Sequence, residues 1–117
     1  MKLFIPKLGT KIVLTKHWKF TLIGEARNKS LWEIMTNTPL LPRPWGVPFN
    51  QHYPPKLECT LFSGAILKFD RVYIRKGAEH HNSVTFKAEI EHFGVWKKAR
   101  FWVTLDDANN IEYERVQ

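Results

Sequence analysis

The sequence predicts a mainly β domain with one short helix, folded as a small antiparallel barrel. Three observations carry that prediction. Apolar residues alternate at period two in several separate runs, most cleanly in SVTFKAEI (83–90) and ARFWVTL (99–105). Aromatic residues make up 14% of the chain, a share that suits pleated surfaces with one buried side. A single segment, EARNKSLWEIM (25–35), changes to helical spacing. The chain has 117 residues, 44% of them apolar, which is material for one domain around one core.

The elements follow in order. KIVLTKHWKFTLI (11–23) forms two short strands or one bent strand. Ile12 and Leu14 share one face, and Trp18, Phe20 and Leu22 share another, with Lys19 and Thr21 between them. A short helix is expected near 25–35, where Ser30 and Glu33 have capping-box spacing ahead of the apolar Leu31, Trp32, Ile34 and Met35. Residues 36–57 hold six of the seven prolines, which excludes helix and central strand. Trp45, Phe49 and Tyr53 lie in this stretch and predict an ordered loop packed on the body rather than a linker. The PRPW stretch within it has the alternative reading of a polyproline ligand.

From residue 58 onward the pattern is β. CTLF (59–62) is a strand and Ser63-Gly64 a turn. In AILKFDRVYI (65–74), Ala65, Leu67 and Phe69 share a face, while Val72 and Ile74 continue in the opposite phase. That flip predicts a bulge or sharp bend at Asp70-Arg71. In 83–90, Val84, Phe86, Ala88 and Ile90 point inward. In 99–105, Ala99, Phe101, Val103 and Leu105 point inward and Arg100 and Trp102 outward. DDANN (106–110) makes a tight polar or helical turn, and IEYERV (111–116) is the last strand. The expected core of this part is Leu67, Phe69, Val72, Ile74, Val84, Phe86, Phe101, Val103 and Ile111.

Five short strands within 58–117, one of them bent, with a helical turn before the last, resemble an SH3-like small barrel. The chain then divides into N-terminal strands and short helix (1–35), a Pro-rich packed loop (36–57) and the SH3-like barrel (58–117), all within a single domain. Many unrelated functions share that fold, so it implies none.

The formal net charge is +7. Residues 1–77 carry 13 basic and 4 acidic side chains, a net of +9, and residues 78–117 carry 5 and 7, a net of −2. A basic front half points to an anionic partner, nucleic acid or an acidic protein face. Lys7, Lys11, Lys16 and Lys19 around Trp18 suit a nucleic-acid backbone with stacked bases. Arg71, Tyr73, Arg75, Lys76 and Trp102, with Trp45 from the Pro-rich loop, are the candidate binding residues. Tyr73 and Trp102 fall on the outward phase of their strands, and these residue types dominate interface energetics. The competing reading is that the N-terminal strands and helix cover this outer face, making its aromatics a second core layer.

Cys59 is the only cysteine, so no intrachain disulfide can form, which fits a reducing cytoplasm. Its place in a probable strand favours a buried small hydrophobe over a nucleophile. MKLFIPKLGTK lacks the features of a signal peptide, and no stretch approaches the apolar length of a membrane span. His80-His81 beside Glu79 lack the ligand spacing of a structural metal site. There is no phosphate loop, nucleophile elbow or dinucleotide fingerprint. Asp106-Asp107, Glu112 and Glu114 are explained as turn and outward strand residues. The expectation is a non-enzymatic protein with no catalytic residues, no metal and no small-molecule cofactor.

Taken together, FIPKLGTKIVLT (4–15), the HW and FTL of 17–22, LKFDRVYIRKG (67–77), NSVTF (82–86) and ARFWVTLDDANNIEYE (99–114) resemble a family of small, uncharacterised proteins of tailed bacteriophages. The likeness spans both ends of the chain and leaves out the Pro-rich middle. It implies an accessory protein made in the cytoplasm of an infected bacterium, which binds and redirects a host protein or is sensed by host defence. Nucleic acid binding through the basic N-terminal half is the alternative.

Overall fold

The computed structural model describes residues 7–41, 54–74 and 82–115. Among these residues seven strands form: β1 (Lys11–Leu14), β2 (Trp18–Ile23), β3 (Lys56–Leu61), β4 (Ile66–Tyr73), β5 (Ser83–His92), β6 (Val95–Thr104) and β7 (Tyr113–Arg115). Between β2 and β3 lie a 3₁₀ turn (Ala26–Asn28) and helix α1 (Lys29–Thr36), and a helical turn, α2 (Leu105–Ala108), follows β6. The chain is therefore mainly β and antiparallel, as its alternation predicts.

The strands make two sheets. One has five strands in the order β6-β5-β4-β1-β7, and the other pairs β2 with β3. The two-stranded sheet packs on the inner face of the larger one, giving a small barrel-like arrangement. Inner-face positions match across the sheet: Phe69 pairs with Phe86, which pairs with Phe101. Trp18 and Phe20 come down from β2 onto this layer, with Phe20 stacked on Phe101 at 5.4 Å and Trp18 edge-on to Phe86 at 5.8 Å. All five rings are almost fully buried, along with Ile12, Leu14, Leu22, Leu61, Leu67 and Val84.

The bulge expected at Asp70-Arg71 is present. The β4–β5 register jumps from Phe69↔Phe86 to Arg71↔Thr85 and leaves Asp70 as the extra residue. Other expectations need correction. Ile74 is exposed, because β4 ends at Tyr73 and the next residue lies past the end of the strand. Val72 and Ile111 are half-buried against the core rather than within it. β1 lies inside the main sheet between β4 and β7, and β3 pairs with β2, so the N-terminal strands are built into the same barrel-like body. Trp45, Phe49 and Tyr53 lie outside the described residues.

The segment expected as DDANN turn is held by Thr104, whose Oγ1 accepts from the Asp107 N–H to cap α2. Asp107 in turn ties α2 to β2: its Oδ2 accepts from the Thr21 N–H and its carbonyl from the Trp18 indole. Glu112 pairs with Lys16 at 3.2 Å. These acidic residues are thus used in building the fold.

Candidate functional site

Sheet pairing gathers part of the candidate set. Arg71, Tyr73 and Trp102 border one small hollow of about 80 Å³ with Arg27, Thr85 and Arg100. Arg71 and Tyr73 are exposed. Arg75, Lys76 and Trp45 lie outside the described residues, as do Glu79, His80 and His81.

Trp102 has a structural role that its outward phase alone does not reveal. β6 is an edge strand, and its unpaired backbone groups need cover. The 3₁₀ turn and the start of α1 supply it through side chains. Asn28, fully buried, accepts from the Trp102 N–H at 2.7 Å and donates its amide to the Ile23 carbonyl at 2.9 Å. Ser30 Oγ accepts from the Arg100 N–H at 2.9 Å and donates to the Arg100 carbonyl at 3.0 Å. Asn28 and Ser30 thereby stand in for a neighbouring strand. This overturns the expected capping box, since Ser30 serves β6 and the N-cap position of α1 is Asn28.

The Trp102 indole donates to Glu25 at 2.7 Å and lies under the Arg27 guanidinium, 5.4 Å from the ring centre. Burial pushes the Glu25 carboxyl up, but hydrogen bonds from Arg27 and Trp102 and the Arg27 charge outweigh it, leaving the group below its ordinary value. A lowered carboxyl pKa stabilises the fold above the ordinary carboxylate value and ceases to do so as pH falls through the lowered one. Melting temperature measured from pH 6 down to pH 3 is therefore expected to fall less steeply in Glu25→Gln than in the parent. Parallel curves would show that this contact does not contribute.

A second surface was missed by the sequence reading. At one end of the molecule Phe62 (62%), Phe93 (92%), Val95 (55%) and Trp96 (56%) are exposed. Phe62, Phe93 and Trp96 border a cleft of about 450 Å³ that Met35, Ile90 and His92 also help to line. Its form follows from the β5–β6 hairpin. His92 pairs with Val95, so Phe93-Gly94 is a two-residue loop, and both have positive φ, 51° and 77°. That is the type I′ pattern, whose first position favours Asn, Asp or Gly. A phenylalanine there is strained and in water. The available signal was HFGVW: an aromatic residue where a hairpin between alternating runs calls for Asn or Asp. The His17 ring meets Phe62 edge-on at 4.9 Å, and His17 Nδ1 accepts from the Ser63 N–H, which fixes the opposite wall.

Cys59 is buried on β3. Burial, with the Glu58 charge beside it, pushes its thiol up to about 11, so the reactive thiolate is scarce at neutral pH. Among the described residues no group of three His, Cys, Asp or Glu side chains converges as metal ligands would. No helix among them is long and apolar enough to cross a membrane. Of the basic N-terminal residues, Lys11 lies on the outer face of the main sheet, Lys16 pairs with Glu112, and Lys19 is on β2 in the other sheet. Comparison with protein-family models, curated proteins and solved structures finds no match.

Proposed function

We propose that this chain is a non-catalytic binding protein whose apolar end docks on another protein. The observation that carries the reading is Phe93, an aromatic side chain 92% exposed on a left-handed backbone at the hairpin tip. The backbone strain opposes folding, and the exposed ring gains nothing from burial to offset it. Phe62, Val95 and Trp96 extend the same apolar surface beside a cleft, the arrangement of an interaction site with aromatic anchors. The sequence likeness to tailed-bacteriophage accessory proteins supports a partner among the proteins of a bacterial host, met in its cytoplasm, as modulator, counter-defence factor or sensed protein.

Phe93→Asn tests the reading, because it removes the anchor and supplies the residue that the turn favours. It is expected to stabilise the fold by about 1 kcal/mol. Immobilised parent and variant are exposed to the same nuclease-treated bacterial lysate, and the retained proteins are quantified. At least one protein should be retained by the parent and reduced about tenfold with the variant, a loss near 1.4 kcal/mol of binding. Equal retention by both would remove the apolar end from consideration.

A further inference from the structure

The register of the main sheet places four cations directly opposite one another across four strands. Lys11 on β1 pairs with Lys68 on β4, Lys68 with Lys87 on β5, and Lys87 with Arg100 on β6. The row crosses the outer face at right angles to the strands and spans about 14 Å at the usual strand spacing. Like charges directly opposite on a sheet repel, so the row lowers the stability of the folded chain. Asp70, the extra residue of the bulge, reaches Arg100 at 3.0 Å and Lys87 at 3.9 Å. Lys11 and Lys68 have no acidic group within ion-pair distance among the described residues.

The row borders a groove of about 340 Å³, which Lys11, Lys68, Lys87, Lys98 and Arg100 help to line together with the acidic Glu89. Rings flank it on both sides. Trp96, 56% exposed, lines an adjoining hollow with Ile66, Glu89 and Lys98. Tyr73, 44% exposed, lies across the row beside Arg71 and Arg100. A line of cations between exposed aromatic rings suits a chain of phosphates whose bases splay to either side and stack.

We infer that the outer face of the five-stranded sheet binds single-stranded nucleic acid, with its phosphates along Lys11, Lys68, Lys87 and Arg100. This site adjoins the apolar end at Trp96, while its row of cations shares no residue with the cleft beside Phe93. Bases paired in a duplex have their faces covered by neighbours, which leaves Tyr73 and Trp96 without stacking partners. An acidic peptide has charge for the row and nothing planar for the rings.

The test measures fluorescence anisotropy of a labelled oligothymidylate, a duplex of equal length and a polyglutamate peptide of equal charge. The single strand is expected to bind most tightly, with log affinity falling against log salt at a slope of about −2 to −3. Lys11→Ala combined with Lys68→Ala should weaken it at least tenfold while the melting temperature holds or rises, because neither side chain has an ion-pair partner among the described residues. Tyr73→Ala should weaken it about fivefold or more. Phe93→Asn should leave it unchanged, which separates this site from the docking surface. Tighter binding of the duplex or polyglutamate overturns the inference, as does unchanged affinity in the double lysine variant. Loss of affinity in Phe93→Asn moves the contact to the apolar end and overturns it equally.

Discussion

Phe101→Ala is expected to lower the free energy of unfolding by about 3–5 kcal/mol, as full removal of a buried aromatic ring does. The ring is fully buried on β6 and joins the two sheets. It stacks on Phe20 with ring planes only 13° apart and lies 5.7 Å from Phe86. Truncation opens a cavity between sheets that cannot close without moving both. A domain of this size has about 5–15 kcal/mol in total, so the variant should sit near the edge of folding. Urea denaturation would show a lower midpoint with unchanged slope. Phe62→Ala is the internal comparison, since Phe62 is exposed at the apolar end and its loss should change stability by no more than about 0.5 kcal/mol. Equal costs at the two positions would mean that the faces have been assigned the wrong way round.

The contrast between these phenylalanines shows what was legible in the sequence. Phe86 and Phe101 sit in strict alternation, and strand geometry alone puts them on one face. The Asp70 bulge was legible for the same reason, because one extra residue inverts the phase of everything after it. Ile74 shows the limit of that logic: alternation continues past the strand end, but burial needs something on the other side. Pairing partners were not legible. Nothing local places β1 between β4 and β7, or sends β3 to β2, since both depend on contacts distant in sequence. The cation row is hidden for that reason. Residues 11, 68, 87 and 100 look unrelated until three registers align them. Phe93 was open to detection, because HFG between two alternating runs is a hairpin with an unusual first turn residue.

Asn28→Ala is expected to cost about 2–4 kcal/mol, a large effect for a small polar side chain outside the aromatic core. The figure follows from what the truncation leaves behind. The Trp102 N–H and the Ile23 carbonyl each lose their partner, and an unsatisfied buried group costs about 1–3 kcal/mol. The Ser30 bridge to Arg100 is the nearest remaining tie between helix and edge strand. Asn28→Asp separates the two roles. Its carboxylate still accepts from the Trp102 N–H but cannot donate to Ile23, so a smaller loss than that of Ala is expected near neutral pH. An equal or greater loss would show that charge in a buried position outweighs the retained bond. Uncovering β6 has a second consequence. Its edge N–H at Trp102 becomes available to another chain, so Asn28→Ala should aggregate at temperatures where Phe101→Ala, brought to the same stability, does not. Light scattering at matched fractions unfolded measures that difference. If the two variants scatter alike, the Asn28–Trp102 contact matters for stability alone and not for guarding the edge.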